Sequence, residues 1–511
     1  MAASEPSPEL GYPDRTFHTE LLPCEAHSTV TFEEAGPSCY AAGVEPFTKA
    51  RPVVSSAVTR NSLSVAATHL QAGQLVSFPS ETVYGLGANA LSQSAASKIY
   101  AAKKRPADNP LIVHVSDLDM LDTLLPPSYT MSAAYTALVR AFWPGALTLL
   151  FPVDADKPAV PRVVTCGHPS VAVRMPSHPI ARALIATSGL PMAGPSANAS
   201  GRPSPTTAAH VMRDLGGQLD IESNSAAVGD EPKGRLKYIL DGGACQVGVE
   251  STVVDGITAE NEIRVLRPGG VTVEQIASVL AQAGLADTVK LRVYGKDMER
   301  SAEQESNPTT PGMKYRHYSP TARVVMLLSA KLFAAAVQPS STAPAPETSS
   351  SAQVVDTLIS ATPSSTTTPQ TFADIVRTQI ANHLPRRTTD SPLNVGLMMS
   401  SDSELSRLIA SSSAPSTVGS RDKIHPHLLP PRVLSGLEGV QVHPFDLGPS
   451  AQAEVYAQRM FDGLRTLDEG PLHGARQCEL IFVEALDDAG VGLAVMNRLK
   501  KAASETVVLD C

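Results

Sequence analysis

Pro79-Ser80-Glu81-Thr82-Val83-Tyr84-Gly85-Leu86-Gly87 is the stretch on which the fold turns. It follows a short apolar run at 75–78 that reads as a strand. It precedes a helix expected to start near Ser92, run through Ile99 and end before Pro106. Two glycines and three hydroxyl side chains in nine residues describe a tight turn with exposed donors. Open α/β sheets bind ligands on loops of this kind, at strand carboxyl ends. The same residues also read as an ordinary strand-to-helix turn, and the sequence leaves both readings open.

Upstream, Leu63, Ala66, Ala67 and Leu70 fall at helical spacing, with Asn61 or Ser62 as the expected cap and Gly73 as the stop. Downstream, strands are expected at 111–115, 147–151, 171–174, 192–194, 238–241 and 252–255. Helices are expected near 129–142, 180–187, 206–215 and 273–282. Mixed strands and helices of this kind predict an α/β domain over 55–285. Residues 1–54 read as a flexible lead with one short strand near 17–22. Residues 286–320 read as a linker, and 321–511 as a smaller, doubly wound, Rossmann-like α/β domain. Segments 335–371 and 410–435, dense in Ser, Thr, Pro and Ala, are expected to be disordered inserts.

Composition narrows the function classes. The net charge of -9 argues against a protein that coats nucleic acid through a broad basic surface. Cys24, Cys39, Cys166, Cys245, Cys478 and Cys511 are scattered with no C-x-x-C pair. That points to neither a disulfide framework nor a zinc site, and it fits a reducing compartment. No apolar run is long enough for a membrane span, and Glu5, Glu9, Asp14 and Glu20 are unlike an acid-poor transit peptide. The expectation is a cytoplasmic protein without a membrane partner or a protein-ligated metal.

Three further clusters carry chemistry. Lys103-Lys104-Arg105-Pro106-Ala107-Asp108-Asn109-Pro110 ends a helix at Pro106, which places the cations at its C-terminal turn. They serve either the helix dipole or a polyphosphate, since Arg offers a planar fork and Lys a point charge. Gly194 to Ser204 is crowded with small and hydroxyl residues after a strand. It reads as an anion-binding concavity or as a polar loop, with Thr206 available to cap the next helix. Arg174 ends the apolar run that begins at Val171, and an arginine there must snorkel to water or meet an anion. His114 closes another strand, where spacing alone favours a core histidine. No G-x-x-x-x-G-K-[ST] run is present, so ATP would not be held as in P-loop enzymes.

Taken together the motifs resemble the YrdC-type threonylcarbamoyl-AMP synthases. The matching runs are PSETVYGLG (79–87), KKRPADNPLIVHV (103–115), WPGALTL (143–149), VAVRMP (171–176), GPSANASGRPSPT (194–206), STVVD (251–255) and LRPG (266–269). PGMKYRHYSP (311–320) and GLAVMNRLKKAA (492–503) are similar to the linker and C-terminal end of the family's long, two-domain form. The first hydroxyl position of the opening motif, usually Thr, is Ser80 here, which keeps the hydroxyl.

The resemblance implies a twisted mixed sheet with a positively charged cleft. It implies condensation of L-threonine, bicarbonate or CO2, and ATP with Mg2+ to L-threonylcarbamoyladenylate and pyrophosphate. A threonylcarbamoyl-transferase complex would use that product at tRNA position 37. By position, Lys103, Arg105, Ser196 and Asn198 would carry catalysis. Arg105, Asn109, Val171, Asn198, Thr206 and Arg267 would hold ATP, and Thr82, His114, Arg174, Ser196 and Ser251 would hold threonine or its carbamate.

From about 296 to 320 the chain could extend roughly 80 Å. Lys314, Tyr315, Arg316 and His317 are therefore expected to act as a lid over ATP. The competing readings are an RNA-binding module, with a weak tRNA or RNA contact as its reduced form, and a carbamoyltransferase of hydrogenase maturation. The second lacks the paired cysteines that its zinc-finger-like modules need.

Overall fold

Ser56 starts the first long helix, Ala57–Gln71, by accepting from the Thr59 amide; the expected caps Asn61 and Ser62 lie inside it. The helix begins a turn and a half before the apolar spacing at 63–70, and its buried face also takes in Thr59 and Ser62. In this computed structural model the described residues are 17–25, 27–34, 49–106, 108–217, 235–294, 298, 317–337, 366–384, 392–412, 425–470 and 477–510. The chain divides into two units. The first is Met1–Ser200 with Ser204–Lys314, and the second is Gly201–Pro203 with Tyr315–Cys511.

The first unit is built on β1 (Glu20–Pro23), β2 (Val30–Glu34), β3 (Ala50–Val54), β4 (Val76–Phe78), β5 (Gly85–Asn89), β6 (Ile112–His114), β7 (Leu147–Pro152), β8 (Ser170–Arg174), β9 (Met192–Ala193), β10 (Tyr238–Asp241), β11 (Thr252–Asp255), β12 (Glu262–Arg267) and β13 (Lys290–Val293). Eleven of them form one mixed sheet, in the order β1-β10-β4-β5-β9-β6-β8-β7-β11-β12-β13, and β2 pairs with β3 as a separate ribbon. The expected mixed sheet is therefore present. One apolar layer over it is formed by the helices Ala57–Gln71 and Pro179–Ser188, whose Leu63, Leu70, Leu184 and Ile185 pack with Val76 and Phe78.

Several local expectations change. Residues 50–54, placed in the flexible lead, form β3, because pairing with β2 satisfies backbone groups that composition does not register. Residues 290–293, placed in the linker, form β13 along the edge of β12. Gly85, Leu86 and Gly87 are not loop but strand, antiparallel to β4. Their glycines reflect close packing. A Cβ on Gly85 would lie 2.5 Å from Cζ of Phe78, so only glycine lets this strand pass under that ring. The helix after the third motif is Ala208–Leu215, capped by Thr207 rather than Thr206.

In the second unit β14 (Arg323–Ser329), β15 (Thr366–Gln370), β16 (Leu393–Met399), β17 (Val440–Asp446), β18 (Leu480–Glu484) and β19 (Glu505–Leu509) run parallel in the order β15-β19-β14-β18-β16-β17. This is the doubly wound arrangement expected. Both faces are covered, and β16 is buried along its whole length. The inserts expected at 335–371 and 410–435 lie in large part outside the described residues. Of the rest, 366–370 form β15, and Leu428 and Arg432 bridge to Phe445 and Val442.

Candidate active site

The helix Gln93–Lys103 ends in a left-handed Lys104, at φ 51°. Lys103, the last residue of the helix, is buried although its charge would favour water. Lys103 is only 2% exposed. Its Nζ donates to the carbonyl oxygens of Ser196 and Asn198 and, at 3.4 Å, to Asn198 Oδ1. The second and third sequence clusters thus meet at one ammonium group, and the Ser200 amide completes the contact by donating to the Lys103 carbonyl. Arg105 spans its own turn: Nε and Nη2 donate to the Asn109 carbonyl and Nη2 also to that of Pro110. Asn109 Oδ1 is buried without a hydrogen-bond partner among the described residues.

Main-chain bonds fasten the opening motif to two other loops. Leu86 N donates to the Pro195 carbonyl, Ala197 N to that of Tyr84, and Tyr84 N to that of Pro205. On the other side Val247 N and Gly248 N donate to the carbonyls of Glu81 and Thr82. Ser80 stays inside its turn. Its hydroxyl donates to the Val83 carbonyl and accepts from the Thr82 and Val83 amides, a role threonine would fill equally.

Strand register supplies the rest of the candidate site. Arg174 opposes His114 across β8 and β6, and Thr148 across β8 and β7. Thr148 Oγ1 lies 2.8 Å from Ser251 Oγ, just before β11. Arg267, on β12, donates through Nε and Nη2 to the Ser251 carbonyl. His114, Arg174, Thr148 and Arg267, with Ser251 at the head of β11, therefore form one line across the neighbouring strands β6, β8, β7, β11 and β12, all buried. Arg174 reaches back to the opening motif, where Nη1 donates to Thr82 Oγ1 at 2.9 Å and Nη2 pairs with Glu81 Oε1 at 2.5 Å.

The anion that the lone strand arginine requires is thus supplied, at least in part, by the protein itself. Glu81, Thr148 and Glu250, which accepts from Ser204 Oγ, were not singled out from the sequence. Only Glu81 had a readable signal, as an acidic residue in a loop between apolar strands of a chain with an arginine left to pair.

Other expected residues sit apart from this line. Val171 opposes Phe151 towards the other end of β8, with its side chain buried and on the face opposite to that of Arg174. Thr206 Oγ1 lies 3.3 Å from His210 Nδ1. Lys314, Tyr315 and Arg316 lie outside the described residues, while His317 belongs to the second unit, its amide donating to the Lys501 carbonyl. No group of three or more His, Cys, Asp or Glu among the described residues could hold a metal ion. None of their helices is long and apolar enough to cross a membrane.

Burial sets the charge states. Burial and then the positive charge of Arg174 lower the His114 pKa to about 3, and burial and then His27 lower that of His178 to about 4. Both are neutral at pH 7, and His114 Nδ1 is buried without a hydrogen-bond partner among the described residues. Their ordinary value is 6.5, so the unfolded chain binds more protons as the pH falls below it. The stability they contribute is complete above pH 6.5 and is lost progressively towards pH 4 and below. Melting temperature should accordingly drop between pH 7 and pH 5, and His114→Gln should flatten that slope, as a scanning-fluorimetry pH series would show.

Residues 68–269 match the family described as "Telomere recombination", and residues 271–504 the "Threonylcarbamoyl-AMP synthase, C-terminal domain". The chain is 35% identical over 450 residues to the threonylcarbamoyl-AMP synthase of Bacillus subtilis, covering 87% of this chain and 94% of the relative. It is 45% identical over 302 residues to that of Schizosaccharomyces pombe, covering 56% and 68%. The solved structure of P. abyssi Sua5 complexed with L-threonine aligns with a TM-score of 0.56 at 32% identity, covering 88% of this chain and 96% of the other. With one match on each domain and a relative alike along nearly its whole length, the chain belongs to the threonylcarbamoyl-AMP synthase family, in its two-domain form.

Proposed function

We propose that this pocket condenses L-threonine, bicarbonate or CO2, and ATP to L-threonylcarbamoyladenylate and pyrophosphate. The product feeds N6-threonylcarbamoyladenosine formation at tRNA position 37 through a separate transferase complex. The observation that carries the residue assignment is the line from His114 through Arg174 and Thr148 to Ser251, fastened to the loop that holds Lys103. Among the described residues, three of the five Arg174 N–H groups donate, to Gly145, Thr82 and Glu81. The other two suit the amino-acid carboxylate. Neutral His114 with its unpartnered Nδ1, together with Thr148 and Ser251, suits the threonine side chain and the carbamate.

The threonine nitrogen attacks CO2 through its lone pair and loses a proton, giving the carbamate. A carbamate oxygen then bonds to the α-phosphorus of ATP, and the bond from that phosphorus to the bridging oxygen breaks as pyrophosphate leaves. No protein nucleophile is needed, because such transfers depend on positioning and on stabilising developing charge. Lys103, Arg105 and Arg267 provide positive charge on the phosphate side, with Ser196, Asn198, Asn109 and Thr206 as orienting groups. Mg2+ enters with ATP. The four cysteines among the described residues form no disulfide, in keeping with a reducing, cytoplasmic setting. Purified protein with Mg2+, ATP and bicarbonate should release pyrophosphate only when L-threonine is added. Release that is equal without threonine, or absent from folded protein, would refute the assignment.

A further inference from the structure

Glu81 has no place in the chemistry above, yet it is one of the most deeply committed side chains of the pocket. It is 5% exposed, its Oε1 takes Arg174 Nη2 at 2.5 Å, and its Oε2 accepts from the His178 amide at 3.4 Å. Burial pushes its carboxyl pKa up, but the charge and hydrogen bond of Arg174, with two backbone bonds, outweigh this and hold it below the ordinary value. Glu81 therefore stays ionised beside Arg174. The other two acceptors on that guanidinium, the Gly145 carbonyl and the Thr82 hydroxyl, are neutral. Charge-assisted bonds are roughly twice as strong as neutral ones, so the carboxylate fixes the guanidinium plane most firmly.

The assembly also limits the electrostatics. An arginine already neutralised by a buried carboxylate offers an incoming amino acid less bare charge and more fixed geometry. Donors held in place before binding lose little freedom when the ligand arrives.

We propose that Glu81 is a positioning residue for the amino-acid substrate: it locks the Arg174 guanidinium so that its two remaining N–H groups face the substrate carboxylate. This rests on the assignment of Arg174 to that carboxylate, and the test separates the two. Threonine KM, ATP KM and kcat for pyrophosphate release would be measured on the full chain for Glu81→Gln, Glu81→Asp, Arg174→Met and the double variant Glu81→Gln/Arg174→Met.

Glu81→Gln should raise the threonine KM roughly tenfold while the ATP KM stays near the parent value, and Glu81→Asp should fall between the two. The double variant should bind threonine no worse than Arg174→Met, because the effect of Glu81 passes through that arginine. A purely structural role would reduce the folded fraction, lowering kcat and leaving both KM values alone. That result, or multiplicative effects in the double variant, overturns the proposal while Arg174 keeps its assignment. A parent-like threonine KM in Arg174→Met overturns the assignment and the proposal with it. If Glu81→Gln fails to fold, Glu81→Asp reads the same KM split with the charge retained, and an unchanged threonine KM there also overturns the proposal.

Discussion

Lys103→Ala is expected to lower threonine-dependent pyrophosphate release by roughly 10²–10³-fold in kcat, the usual loss when one group that stabilises developing charge is removed. The structure adds a second cause. Lys103 Nζ gathers the carbonyls of Ser196 and Asn198 and the Asn198 side chain, so its loss takes away a donor those buried acceptors share and loosens the loop that carries them. Both kcat and the ATP KM should therefore move. Lys103→Arg, which keeps the charge but cannot place a point ammonium between two carbonyls, should recover only a small part. Steady-state kinetics with ATP varied at saturating threonine would check this. Activity in Lys103→Ala close to that of the parent protein would remove the lysine from the site.

The second large effect falls on stability. Arg174→Ala strands Glu81, a carboxylate 5% exposed, without its cation, and breaking one side of a buried ion pair typically costs about 3–5 kcal/mol. Part of the loss returns if Glu81 takes up a proton, so Arg174→Ala should be less destabilised at pH 5 than at pH 8, measured against the parent protein at each pH. Adding Glu81→Gln to Arg174→Ala should recover stability at pH 8 by removing the orphaned charge, without recovering threonine binding. Urea denaturation of the two variants at both pH values gives this comparison directly.

Much of the architecture was legible in the sequence because its signals are local. The helix Val273–Gln282 and the strands Tyr238–Asp241 and Thr252–Asp255 fall where periodicity placed them. Errors arose where backbone pairing, rather than side-chain pattern, decides the state. The strands at 50–54, 290–293 and 366–370 carry weak apolar alternation but lie along paired edges. Gly85, Leu86 and Gly87, the end of the expected turn at 79–87, belong to a strand, since their glycines record the nearness of Phe78 and not a turn.

By itself the sequence determined the α/β class, the two-part organisation and the loops that hold hydroxyl and basic residues, because each depends on neighbours within a few residues. It left Arg174 either to reach water or to meet an anion, and burial decided for the anion. Only the tertiary structure decided which groups meet. Sheet order interleaves strands remote in the chain, setting Arg174 against a glutamate 93 residues away and Thr148 against a serine 103 residues away. Register and burial, which no local pattern encodes, turned scattered residues into one polar line.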